Sequence, residues 1–275
     1  MKVSFEVFPP KTEAGIESLK RNIDRYSQYH PDMMTVTHGA NGSNVGCQLD
    51  ILKYISDSGI EACANLTCIN KKIEDIYSFC QELRKISVHK ILALRGDIPE
   101  GQIGTGGDFE HASDLIRYIK FFNNNEIIGK EREFDILAAD YPEGHIESNC
   151  PEEEYEHYIF KGVSGASHFI SQMCYDTEYI GYGINSLNTY VGVMPVLNRE
   201  SITSMCLKNG CSIPKDLSHI IGRYYNDPDS FKKAGIEYTI KLIEDISALK
   251  PYGFQIFTMN RFEEIKDILD FVAAL

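Results

Sequence analysis

The chain has 275 residues, 43% of them apolar and 24% charged, which is long enough to bury a large core and too ordinary in composition for a disordered segment. Its net charge of −13 disfavours nonspecific contact with nucleic acid or an anionic membrane, because an acidic surface repels polyphosphate, and leaves a small molecule as the expected substrate. No apolar run approaches the ~18 residues of a membrane span, and the N-terminus enters a strand after one lysine without the pattern of a signal peptide, which points to the cytoplasm.

The chain opens MKVSFEVFPPKTE. In an extended run Val3, Phe5 and Val7 fall on one side and Ser4, Glu6 and Phe8 on the other. Pro9 and Pro10 cannot donate to a sheet ladder, so they end the strand and leave a carboxylate close to its end. Seven more short apolar runs follow at 33–38, 62–68, 90–96, 134–140, 167–173, 190–196 and 253–259. Between the early ones lie helical periods: Ile16, Leu19 and Ile23; Leu49, Ile51, Leu52 and Ile55; Ile73, Ile76, Phe79 and Leu83; Leu115, Ile116 and Ile119. Strand, helix, strand in repetition means parallel pairing with crossover helices, and continuous apolar strands mean a sheet covered on both faces. Eight such units in about 250 residues predict a (β/α)8 TIM barrel, one domain over 1–275.

Extra helices are expected between the seventh and eighth strands, near 199–207 and 214–223, with a long one over 227–249 carrying Ile236, Ile240, Ile243 and Ile246 on one stripe. The stretch GQIGTGGD (101–108) lacks the spacing of a phosphate-binding loop and reads as a mobile loop over a ligand. The eight cysteines form no CxxC pair, so reduced and mostly buried thiols are expected, with no metal.

In a barrel of this kind chemistry gathers at the C-terminal strand ends. Those ends carry Glu6; Thr37 and His38; Thr67; Arg95, Gly96 and Asp97; Asp140 and Tyr141, with His145 beyond; Gln172; and Asn260 with Arg261. Singly, each is an ordinary polar strand exit. Together they describe a pocket of acids, amides and two arginines.

The blocks SFEVFPPK, VTHGAN, NLTC, ALRGD, AADYPEGH, KGVSGASHFISQ, GVMPV and FTMNR, in this order across nearly the whole chain, resemble the catalytic barrel of the methylenetetrahydrofolate reductase family. The resemblance implies non-covalent FAD, NADH or NADPH as electron donor, and reduction of 5,10-methylenetetrahydrofolate to 5-methyltetrahydrofolate. It gives Glu6 the role of general acid toward N10 of the folate, a task for which burial would raise the carboxyl toward ~6–7. Asp97 matches an aspartate beside the flavin ring, where negative charge favours the cationic iminium of the opened folate. Arg95 and Lys161 match cations that contact FAD. Thr37, Tyr141, His145 and Ala166 match positions close to the flavin, and His38, Asn65 and Gly96 fall in the same cofactor-binding set. Gln172 matches the amide that contacts nicotinamide and pterin in turn, and Arg261 the arginine that holds the folate's glutamate carboxylate.

The chain also departs from the family pattern. Asn65 stands for a histidine, His38 for a tyrosine, Met173-Cys174-Tyr175 for an aromatic run and Phe257 for a tyrosine, while YIFK leaves Lys161 as the one cation before the SGA turn. These changes bear on FAD and nicotinamide, and they leave open a catalytic subunit fed by a partner electron-transfer protein, or a flavin- or folate-binding barrel without turnover. A homo-oligomer is equally open. The end at Leu275 leads us to expect no C-terminal regulatory domain.

Overall fold

Strand and helix alternate from the first residues onward. In the computed structural model, which describes residues 1–38, 45–126, 132–183 and 188–275, β1 (Lys2–Val7) leads to α1 (Glu13–Tyr26) and a 3-10 turn (Ser27–Tyr29). There follow β2 (Met33–Val36), α2 (Val45–Asp57), β3 (Ala62–Thr67), α3 (Ile73–Lys85), β4 (Lys90–Leu94) and α4 (Ala112–Glu126). The second half runs β5 (Asp135–Asp140), α5 (Pro151–Ser164), β6 (His168–Ser171), α6 (Thr177–Gly183), β7 (Thr189–Val193), α7 (Arg199–Asn209), α8 (Lys215–Arg223), α9 (Pro228–Ala248), β8 (Gly253–Phe257) and α10 (Phe262–Ala273). The strands close into a barrel in sequence order, the (β/α)8 architecture expected, with α7, α8 and α9 as the extra helices. Among the described residues no helix is long and apolar enough to cross a membrane.

Two compact units divide the chain, one of residues 5–139 and 157–169, the other of 1–4, 140–156 and 170–275. In the first unit β2 is buried throughout and β3 from Ala62 to Leu66, which is why these strands read as unbroken apolar runs. Their parallel register sets Met34 opposite Ala62 and Val36 opposite Ala64, then Asn65 opposite Leu92 and Lys90 opposite Asp135. Phe5 packs on Tyr26 of α1 with ring centroids 5.5 Å apart, so that side of β1 faces the helices. α1 begins where Thr12 accepts a hydrogen bond from the Gly15 N–H (3.1 Å) and buries Leu19, Ile23 and Tyr26.

At the start of β5, Asp135 accepts from Lys90 Nζ at 2.7 Å and from the Ser167 hydroxyl, with His168 Nδ1 at 3.8 Å. Burial alone would raise this carboxyl, but the hydrogen bonds from His168, Lys90 and Ser167 together hold it far below the usual range.

The glycine-rich stretch 101–108, expected to be a mobile loop over a ligand, is hydrogen-bonded to its neighbours. The Asn70 N–H donates to Thr105 O (2.8 Å), Asp108 N–H to Lys71 O (3.0 Å), and the Asp108 carboxylate accepts from the Ile73 N–H (3.0 Å), tying the loop to the start of α3.

In the second unit β7 and β8 pair with Val191 opposite Phe254. The inward face of α9 differs from the expected isoleucine stripe: Phe231, Gly235, Thr239, Leu242, Ile243 and Ile246 are buried, whereas Ile236 and Ile240 are half-buried. The reason is backbone proximity. A Cβ at Gly235 would lie 2.0 Å from Val196 O, and the Thr239 hydroxyl accepts from the Val196 N–H (3.1 Å) while donating to Gly235 O (2.8 Å). β7 ends at Val193, short of its apolar run, two residues before Pro195, which has no N–H to give to a ladder.

Candidate active site

Glu6 occupies the end of β1, on the side opposite Phe5 and Val7. Its Oε2 accepts a hydrogen bond from Asn65 Nδ2 on β3 at 3.3 Å. β1 and β3 are not neighbours in the sheet, so this contact runs across the barrel interior, where side chains of alternate strands share a layer. Burial pushes the Glu6 carboxyl up to about 7, against the smaller downward pull of the Asn65 amide. The expected acid therefore holds a proton near neutral pH.

Asn65 is itself held from behind. Gln48, wholly buried on α2, donates through Nε2 to Asn65 O at 2.8 Å and to Val36 O at 3.0 Å. The strand-end pattern does not include Gln48, yet its period does: with Ile51, Leu52 and Ile55 it lies on the buried stripe of α2, a polar residue where packing alone would take an apolar one. Beside it, burial and then the Lys71 charge lower the pKa of His38, while the Asn65 backbone and the Gln48 side chain favour its cation. Neither His38 ring nitrogen makes a hydrogen bond of ordinary geometry, and Asn65 Oδ1 has no partner either.

Thr37 donates from its backbone to Val7 O (3.0 Å), extending the contact between β1 and β2. The rest of the VTHGAN block, 39–41, lies outside the described residues. After β4, Arg95 donates from Nε to Gly96 O (3.2 Å), and Asp97 is exposed. Gly96 has φ +89, and a Cβ there would stand 2.7 Å from Ile69 Cγ2, so a side chain is barred on both counts. Lys161 donates to Ala139 O (3.0 Å), and the Ala166 N–H to Lys161 O (3.1 Å).

In the second unit the Tyr141 and His145 rings meet edge to face at 4.7 Å, and His145 Nδ1 accepts from the Glu147 N–H at 3.2 Å. Gln172 takes the Asp140 carbonyl with its backbone N–H (2.7 Å). Its amide is oriented: Nε2 donates to Asn209 Oδ1 (3.2 Å) and Oε1 accepts from the Met173 N–H (2.8 Å). Nothing in the sequence pattern marks Asn209, at the end of α7. Arg261 is exposed at the start of α10 and pairs with Glu264 at 3.7 Å. All eight cysteines are free, five of them buried.

The family model described as methylenetetrahydrofolate reductase matches residues 1–273. The chain belongs to the methylenetetrahydrofolate reductase family. Among family members, methylenetetrahydrofolate reductase 1 of Schizosaccharomyces pombe is 30% identical over 279 residues, covering 97% of this chain. The chain spans only 45% of that protein's length. The 5,10-methylenetetrahydrofolate reductase of Pectobacterium carotovorum is 30% identical over 271 residues, covering 96% of this chain and 87% of its own. A solved structure of a Clostridium thermocellum protein that binds two copies of 5-methyl-5,6,7,8-tetrahydrofolic acid superposes with a TM-score of 0.67 over 99% of this chain and 94% of that one. At 17% identity it shows that the reductase-family chain shares that fold.

Proposed function

We propose that residues 1–275 act as one catalytic barrel that reduces 5,10-methylenetetrahydrofolate to 5-methyltetrahydrofolate, with NADH or NADPH as electron donor. The observation that carries the reading is the Glu6 carboxyl, half-buried at the end of β1 and pushed by desolvation up to about 7, in a chain of this family. Opening the folate's five-membered ring requires a proton at N10, and only an acid still protonated near neutral pH can deliver it.

The cofactor implied is FAD. Asn65 Oδ1, buried without a hydrogen bond, and the His38 ring nitrogens, which make none of ordinary geometry, fit a ring system rich in donors and acceptors. Thr37, His38, Asn65, Arg95, Gly96, Asp97, Tyr141, His145, Lys161 and Ala166 are the residues we assign to holding it, with Arg95 and Lys161 as the cations for its diphosphate. When bound, FAD supplies the hydride.

The chain's own groups do the rest. Glu6 gives its proton to N10, and the carboxylate of Asp97 favours positive charge as it develops on the folate. Gln172 offers a donor and an acceptor together to the pterin edge, and Arg261 pairs with the substrate's glutamate carboxylate. The test is to follow the two half-reactions of Glu6→Gln without oxygen. Reduction of the flavin by the nicotinamide donor should persist, while its reoxidation by methylenetetrahydrofolate should slow by roughly 10²–10⁴-fold. Equal loss of both halves would overturn the acid's role.

A further inference from the structure

We propose that Gln48 is a positioning residue for the acid, fixing the end of β3 so that the Asn65 amide stays where it donates to Glu6. The inference rests on the reading above, since it concerns the same carboxyl. The ladder between β2 and β3 has Val36 opposite Ala64 as its last pair, and the Gln48 amide takes the carbonyls of Val36 and Asn65 just there. One nitrogen gives both its hydrogens to carbonyls at the ends of the two strands. Its orientation is determined, because turning the amide over would set Oε1 against two carbonyl oxygens. Burying an amide is unfavourable, and here only Nε2 is paired while Oε1 makes no hydrogen bond of ordinary geometry, so packing against Ile51, Leu52 and Ile55 does not account for glutamine at this position.

From Gln48 the chain of contacts runs through the Asn65 backbone to its side chain and on to Glu6 Oε2. The charged and titratable groups at the strand ends of the same unit include His38 after β2, whose pKa burial lowers, with Lys71 beyond it, and Arg95 with the exposed Asp97 after β4. For Glu6, burial comes first and Asn65 second. Whatever loosens Asn65 should therefore tighten the hold of Glu6 on its proton.

The experiment titrates the Glu6 carboxyl directly, by its infrared carbonyl band, in the wild type, Gln48→Met, Asn65→Ala and the double variant, each checked for a cooperative thermal transition. Each single variant should raise the proton affinity of Glu6 by roughly 3–10-fold, the scale of one lost hydrogen bond, and the double variant no further than Asn65→Ala alone. Gln48→Asn, one methylene too short to reach both carbonyls, should act in the same direction and stands in if Gln48→Met does not fold. A midpoint unmoved by either Gln48 variant, or full additivity with Asn65→Ala, would overturn the proposal. Folate reduction persisting in Glu6→Gln would instead remove the acid's catalytic role while leaving the coupled titration intact.

Discussion

An unfolded glutamate titrates near ~4.3, whereas Glu6 in the folded chain keeps its proton to about 7. A carboxyl whose folded value is raised contributes stability in full below the unfolded value and loses it as pH rises through the folded one. Ionising Glu6 in the folded chain thus costs stability, from neutral pH upward. Glu6→Gln should melt higher than the wild type, by on the order of 1–3 kcal/mol at pH 8 and by much less at pH 5. Thermal melts at the two pH values check it; a difference that does not grow with pH would show that folding does not feel the titration. The position of Glu6 was legible from side-chain alternation and Pro9-Pro10. Its partner was not: Asn65 lies 59 residues away on a strand that β1 does not pair with, and only closure of the barrel brings the two together.

At the level of elements, α9 illustrates what apolar periodicity misses. Isoleucines at 236, 240, 243 and 246 suggest the inward stripe, but the helix turns its small residues toward Val196 because backbone meets backbone there. Gly235→Ala should therefore destabilise by roughly 1–3 kcal/mol or more, since the added methyl must displace a carbonyl rather than a flexible side chain; the urea midpoint measures it. A second element-level prediction concerns the cluster at the start of β5. Asp135 has a depressed folded value, so its contribution is present above the unfolded value near ~4 and is lost as pH falls through the folded one. Asp135→Asn should cost roughly 1–3 kcal/mol at pH 7, with the gap to the wild type beginning to narrow as pH falls below ~4 in urea titrations. The glycine-rich stretch after β4 is a case of contacts that composition does not carry: it was expected to be a mobile loop, and its hydrogen bonds with Asn70, Lys71 and Ile73 leave no trace in the sequence.

For the whole molecule, eight apolar runs sufficed to read the architecture, because strands covered on both faces carry their burial in their composition. The electron donor was less legible, since the chain departs from the family pattern at Met173-Cys174-Tyr175 and keeps Lys161 as the one cation before the SGA turn. With NADH as donor, its anaerobic addition to the flavin-loaded protein should bleach the flavin absorbance; an unchanged spectrum with NADH and NADPH alike would assign the role to a partner protein. Barrel closure carries a further consequence. Every strand among the described residues has two neighbours in the ring, so that sheet presents no open border for another chain to extend. Self-association would have to proceed through outer side chains, such as the exposed Tyr155, Ile159, Phe160 and Val163 of α5, and intermolecular strand addition would first require the ring to break.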